Sequence, residues 1–502
     1  MREFHPSFLM GKGGYLVMAK FQQWNKQWIG GQWKIGLSQK NYINKNPYND
    51  EVLVEIPLAN MDDVDQAYES SQAAQREWEK VNPYKRSAIM EKAAELLAAR
   101  REEMVELLVA ESGSTRIKAN TEIDFAIAII KEAASFPIRM QGMILPSLVP
   151  GKENRIYRYP AGVVGVISPF NFPFYLSMRS VAPALATGNG VVLKPDRQTM
   201  ITGGLAIAKL FDDAGIPKGL FNVTVVDTKE IGDAFVEHPI PRIISFTGST
   251  EVGRHIGELC GKNLKRVALE LGGNNALIVL QDADIEKAAH SAAFGKFMHQ
   301  GQICMAINRI IVDRNRYDEF LERFKERVSK IKAGDPSNPD TFVGPLINRK
   351  QVDRILDLID KSVRQGAKVV LEGKVQGNVM EPFILADVTN DMPIAQNEIF
   401  GPVAGVIAVD GEEEAIRVAN DSPYGLSGAV YAGSVEHGVE VAKKIETGMI
   451  HVNDQSVNDE PIIAFGGEKA SGLGRYGGMW ALDEFTTVKW ISVQVHPREY
   501  PV

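Results

Sequence analysis

The chain has 502 residues, 44% hydrophobic and 24% charged, with a formal net charge of -7. That length is too great for one core and calls for two or three domains, while the acidic balance and the lack of any basic run argue against nucleic acid as a partner. Two cysteines cannot staple a chain of this size, which fits a reducing cytoplasm, and no run of about 18 apolar residues offers a membrane span.

The opening residues lack the unbroken apolar core of a secretory signal, because Pro6, Gly11, Gly13 and Gly14 interrupt them. Residues 1–17 read as a start-site extension or a disordered lead. Residues 28–57 alternate apolar and turn residues, the pattern of short strands. Two helices follow, over 61–80 and 83–113, with Pro83 near the start of the second and Gly113 as its stop. Trp78 reads as packing. Residues 141–160 break the helical pattern with proline, glycine and strand-like alternation, a projecting hairpin. Residues 485–494 alternate again near the chain end, and such a strand needs something to cover its edge.

From residue 162 the pattern becomes strand, helix, strand: GVVGVIS, FYLSMRSVAPALATG, GVVLKP, TGGLAIAKLFDDAG, FNVTVV and, further on, RIISFTG. Repeated units of this kind predict a parallel sheet covered by helices on both faces, with ligands at the carboxyl ends of the strands. Asn171, Lys194 and Gly248 fall just there. After LELGGNNALIVL the alternation restarts, so a second α/β domain begins near Gly272.

Cys304 closes the Gly-Gln-rich turn FMHQGQIC and precedes the apolar run INRIIVD, which displays a thiol at the edge of an element. A thiol acting as nucleophile needs something to favour thiolate, donors for an oxyanion and a base for a second half-reaction. Glu270 ends the strand RVALE beside two glycines and is a candidate base, although an acid there could equally cap a helix or pair with an arginine. Asn171, between Phe170 and Phe172 in a proline-bounded turn, is a candidate oxyanion donor or an ordinary turn amide. Residues 248–253, GSTEVG, follow a strand and open a helix, a place where free N–H groups meet a phosphate or where a helix is merely capped. Cys260 reads as a small buried hydrophobe. The eight histidines are scattered and suggest no metal site. His299, near Cys304, permits a thiol-hydrolase reading, but one that leaves the glycine turn unused.

The strings FNFP, FTGSTEVG, LELGG, GQIC, EIFGPV and FGGEKASGLGR occur in this order, and together they resemble the aldehyde dehydrogenase superfamily from about Trp24 onward. The resemblance implies a dinucleotide-binding parallel-sheet domain (20–140 and 161–271), a catalytic α/β domain (272–470) and a small β oligomerisation segment (141–160 and 483–502). In the family, the hairpin pairs with the C-terminal strand of a neighbouring subunit in a homodimer or homotetramer. The implied reaction is NAD(P)-dependent oxidation of an aldehyde to the acid, with Cys304 as nucleophile, Asn171 in the oxyanion site and Glu270 as base toward water. That base position disfavours transfer to coenzyme A.

For the cofactor, the resemblance points to Gly248, Ser249 and Gly253 at the pyrophosphate, Lys194 at a ribose, Glu398 at the nicotinamide ribose and Phe400 near the ring. Arg197 stands where many NAD-preferring members carry glutamate, so weak discrimination between NAD and NADP is expected. The stretch around FNFPFYLSMRS is similar to the aromatic aldehyde branch, which includes benzaldehyde and vanillin dehydrogenases. Phe172, Tyr175, Met298 and Met305 then read as pocket residues or, equally, as core.

Overall fold

The structure, a computed structural model, describes residues 21–501, so the reading of residues 1–17 lies outside the described residues. Met61–Trp78 starts at a capping box in which the Asn60 side chain accepts from the Asp63 N–H and Asp63 accepts from the Asn60 N–H. The single helix expected over 83–113 is two, Pro83–Ala99 and Arg101–Ser112, broken at Arg100, whose guanidinium pairs with Asp213 at 2.7 Å. Gly113 ends the second with φ 66°, a left-handed cap that favours glycine. A longer helix, Arg116–Arg139, packs over both this pair and the helix Pro173–Ala186. Trp78 is buried and its Nε1 donates to the Leu185 carbonyl at 2.8 Å, the packing role expected of it.

The first sheet has eight strands. Its centre is parallel, in the order Phe221–Val223, Gly190–Lys194, Val163–Ile167, Pro241–Thr247, Arg266–Glu270. The chain winds one way from Val163–Ile167 and then the other, so the carboxyl ends of Val163–Ile167 and Pro241–Thr247 flank the switch point where such sheets open a crevice. Antiparallel strands cover both edges: Gln27–Ile29 and Gln32–Lys34 on one side, Gly472–Leu473 on the other.

The second sheet has seven strands, with Asn275–Val279 and Ile307–Asp313 paired in parallel at its middle. Both are buried along their whole length, as strands covered on two faces require. The chain therefore passes from one sheet to the other between Glu270 and Asn275, over Gly272 and Gly273. It returns to the first sheet at Gly472–Leu473, next to Glu270.

The third sheet corrects an expectation. Thr486–Gln494 pairs antiparallel with Lys152–Pro160 of the same chain, not of a neighbour, and Met143–Leu145 pairs with the other edge of Lys152–Pro160. The return through Gly472–Leu473 brings the tail back beside residue 160, where the Phe485 carbonyl accepts from the Ala161 N–H and from Asn189. Pairing within the chain is thus local in space although remote in sequence. Among the described residues, no helix is long and apolar enough to cross a membrane.

Candidate active site

Cys304 is held by its backbone. The turn before it runs through three left-handed residues, His299 (φ 50°), Gln300 (φ 53°) and Gly301 (φ 73°), of which the first two cost about 1–3 kcal/mol each. Side chains maintain that strain: the Gln300 amide donates to the Pro345 carbonyl at 2.7 Å and its oxygen accepts from the Gly344 N–H at 3.0 Å, while the Gln302 oxygen accepts from the Ile347 N–H. Asn275 Nδ2 donates to the carbonyls of Cys304 and Ala306, both at 2.8 Å, and Ser456 Oγ donates to that of Met305. Gly273 lies so close that a Cβ there would sit 2.3 Å from the Cys304 carbonyl oxygen, a close approach that only glycine permits.

The thiol points at a carboxylate. Cys304 Sγ donates to Glu270 Oε1 at 3.2 Å, and Arg179 donates to Glu270 Oε2 at 3.2 Å. Burial first, and then the Glu270 charge, push the thiol well above its ordinary pKa. The thiolate-favouring pull of Arg179 is outweighed by burial and by the Glu270 anion, and the nearby His299 is held neutral by burial and by Lys118. His299 instead packs edge-on against Phe172, with ring centroids 5.4 Å apart, and makes no hydrogen bond to Cys304. Burial also raises the Glu270 pKa, against the opposing pull of Arg179. A neutral thiol hydrogen-bonded to a buried carboxylate can pass its proton there as sulfur attacks.

Asn171 is buried beside them. One hydrogen of its Nδ2 is given to the Gln302 carbonyl at 2.9 Å, which leaves the second for another acceptor. Its loop is pinned by a buried ion pair that sequence reasoning missed. Lys118 donates to the Asn171 carbonyl at 2.7 Å and pairs with Glu122, whose other oxygen accepts from the Phe174 and Tyr175 N–H groups at the start of Pro173–Ala186. Lysine and glutamate four residues apart look like an exposed helical pair in sequence; only their burial, 1% and 0% exposed, marks them.

Two cavities meet at Cys304, sharing it with Asn171 and Leu176. The first, of about 450 Å³, follows the sheet's switch point past Phe170, Thr247, Gly248, Ser249 and Thr250 to Glu398 and Phe400. Ser249 caps the helix Thr250–Lys262, and the Glu398 carboxylate accepts from the Gly273 N–H at 3.1 Å. Burial lifts its pKa to about 7. Gly272 makes room for it, since a Cβ there would lie 2.6 Å from Glu398 Oε2. This combination of helix N-terminus, glycine cradle and buried acid fits a dinucleotide.

Three of the residues expected at the cofactor are not among those lining this cavity. Gly253 faces the core, where a Cβ would collide with Leu271 at 2.2 Å, so its smallness serves helix-on-strand packing. Lys194 ends its strand half-buried and does not line the cavity. Arg197 does not line it either: its guanidinium pairs with Asp227 at 3.3 Å and lies over the Tyr42 ring. Neighbouring Asp196 caps the turn that follows by accepting from the Gln198 N–H at 2.8 Å.

The second cavity, of about 340 Å³, gathers all four residues read as pocket or core: Phe172, Tyr175, Met298 and Met305. Phe125 and Phe294 join them from other helices, and Arg179 and Asp459 form a polar corner. Both of these were missed in the sequence, although Arg179 is a lone cation in an otherwise apolar helix, a signal worth reading. Cys260, by contrast, is fully buried among apolar residues, and burial pushes its thiol up to about 11.

A nucleophilic thiol between a dinucleotide-shaped crevice and an aromatic cavity defines an oxidoreductase of the cysteine type, and the aldehyde dehydrogenase family matches residues 33–491; the chain belongs to that family. It is 55% identical over 484 residues to the benzaldehyde dehydrogenase YfmT of Bacillus subtilis (strain 168), covering 96% of this chain and 100% of that one. It is 53% identical over 471 residues to a vanillin dehydrogenase of Corynebacterium glutamicum, covering 93% and 97%. The crystal structure of an NAD-dependent benzaldehyde dehydrogenase from Corynebacterium glutamicum superimposes with a TM-score of 0.87 at 49% identity, covering 93% of this chain and 96% of that one.

Proposed function

We propose that this aldehyde dehydrogenase oxidises aromatic aldehydes, of the benzaldehyde or vanillin type, to their carboxylic acids with NAD, and less readily NADP, in the cytoplasm. The observation that carries the reading is the position of Cys304 Sγ, where the two cavities meet and 3.2 Å from Glu270 Oε1. Gly248, Ser249, Glu398 and Phe400 would hold a nicotinamide dinucleotide in the first cavity, where it would supply the hydride acceptor. Sulfur adds to the aldehyde carbon as its proton passes to Glu270, and the free Asn171 N–H and the Cys304 backbone N–H donate to the developing oxyanion. Once that adduct is oxidised, Cys304 holds the product as a thioester. After Glu270 has released the thiol proton to solvent, it takes a proton from water as the water oxygen adds to the thioester carbon, and the carbon–sulfur bond breaks to free the acid and return Cys304. Arg197 already has Asp227 as counter-ion, so it attracts a 2′-phosphate less than a free guanidinium would. The domain division expected from the sequence is retained in this reading, with Gly472–Leu473 crossing back into the dinucleotide-binding sheet.

The test is a panel of short aliphatic aldehydes, semialdehydes and aromatic aldehydes, each with NAD and NADP. Burying a phenyl ring is worth about 1.5–3 kcal/mol, so benzaldehyde-type compounds should exceed short aliphatic ones by roughly 10- to 100-fold in kcat/KM. Equal values would remove the aromatic assignment.

The reading includes a homodimer or homotetramer. Val488 and Trp490, on one face of Thr486–Gln494, are 61% and 63% exposed, and Met143, which the register places on the same face of the sheet, is 59% exposed. Apolar groups in this density on a three-stranded sheet call for a second copy to cover them. Val488→Lys with Trp490→Glu is expected to lower the assembly's mass in size-exclusion chromatography with light scattering, without unfolding the subunit. An unchanged mass would place the interface elsewhere.

A further inference from the structure

Arg179 sits in the middle of Pro173–Ala186, a helix buried along its whole length, and its side chain is 3% exposed. A guanidinium at such a place carries a large desolvation cost unless its partners are well arranged. One nitrogen donates to Glu270 Oε2 at 3.2 Å, and the other donates to Asp459 Oδ2. Tyr175, one turn earlier on the same helix, donates its hydroxyl to that same Asp459 oxygen at 2.7 Å. The guanidinium plane lies on the Phe465 ring, 3.8 Å from its centroid, and packs over Tyr175 as well. The arginine is thus fixed from three sides, and the direction it fixes is toward Glu270.

We propose that Arg179, anchored by Asp459 and Tyr175, is a positioning residue that keeps the Glu270 carboxylate ionised and turned so that Oε1 faces Cys304, with Asp459 limiting how strongly the guanidinium binds Glu270. This rests on the reading of Glu270 as the base. The two carboxylate oxygens have separate tasks: Oε2 takes the arginine and Oε1 takes the proton. A buried carboxylate left alone would hold its own proton and could accept none from thiol or water. A guanidinium paired with Glu270 alone would err the other way and make it too weak a base. Asp459 shares the cation, so one positive and two negative groups leave the cluster able to take up one proton. The other titratable groups facing Glu270 are Cys304, Tyr476 and Glu398; burial pushes the pKa of each of them upward.

The test compares wild type with Arg179→Leu, Arg179→Lys, Asp459→Asn and Glu270→Gln. Two readouts are used: the pH dependence of the hydrolytic phase after the first turnover, and alkylation of Cys304 by iodoacetamide without cofactor. Because the base acts when deprotonated, a higher pKa moves the acidic limb to higher pH. Arg179→Leu should move the limb upward and lower kcat at neutral pH by up to about 100-fold, with KM changed far less. Arg179→Lys should restore most of that shift. Asp459→Asn should move the limb the opposite way, which a merely structural role would not do. Alkylation should slow in Arg179→Leu, since the cation also favours the thiolate. If Arg179→Leu does not fold in thermal denaturation, the lysine and asparagine variants carry the same comparison. A limb unmoved in the folded Arg179 and Asp459 variants, but lost in Glu270→Gln, overturns the inference and leaves Glu270 as the base. A limb that persists in Glu270→Gln overturns that assignment, and the inference with it.

Discussion

Cys304→Ala is expected to abolish aldehyde oxidation, with a fall in kcat/KM on the order of 10⁴-fold or more, the scale on which removal of a covalent nucleophile acts. The reason is local. No other thiol can substitute, because Cys260 is fully buried and its thiol is pushed up to about 11. The variant should remain folded: Cys304 is clamped through its carbonyl by Asn275, and its neighbours by Ser456, so removing Sγ leaves the turn intact. Stopped-flow absorbance at the reduced nicotinamide band should show no burst, while binding of dinucleotide, followed by protein fluorescence, should persist. A variant that still produces reduced cofactor at wild-type rate would remove Cys304 from the reaction.

Glu270→Gln is the second large effect, and the structure changes its form. A base that served hydrolysis alone would leave acylation fast, and its loss would give a burst followed by slow turnover. With Sγ donating to Oε1, the same carboxylate also receives the thiol proton, and burial and this carboxylate have raised that thiol's pKa. Both half-reactions should therefore slow. Steady-state turnover is expected to fall by about 10²- to 10⁴-fold, with the burst itself delayed rather than preserved. The sign of the pH effect follows from burial, which raises the Glu270 pKa. Wild-type activity should be lost as pH falls through a value above the ordinary glutamate range, and this acidic limb should vanish in the glutamine variant. Full-rate acylation in Glu270→Gln would show that another group takes the thiol proton.

Much of this site is legible in the chain because local chemistry limits what short strings can do. Asn171 between prolines, Glu270 before two glycines and Cys304 after a Gly-Gln turn each have a conformation set largely by their neighbours. The glycines at 272 and 273 also announce a close approach, and the approaching groups prove to be Glu398 and the Cys304 carbonyl. The parallel core of the first sheet and the buried strands of the second were readable for a similar reason, since apolar strands alternating with helices admit few other packings.

Residue order alone thus set the family, the two α/β sheets, and the nucleophile, acid and amide that could work together. What pairs with what over long separations was decided only on folding. Gly253 and Arg197 look like cofactor ligands in a string, yet one is filled against by Leu271 and the other is paired by Asp227. The C-terminal strand looks as though it needs a neighbour, yet the return through Gly472–Leu473 delivers it to its own hairpin. Arg179, Asp459 and Glu270 lie 91 residues or more apart, and nothing in any one of the three segments announces the others. The cause is the same in each case. A glycine's clearance and a charge's partner are properties of the space around them, and burial makes that space decisive by removing water as the alternative partner.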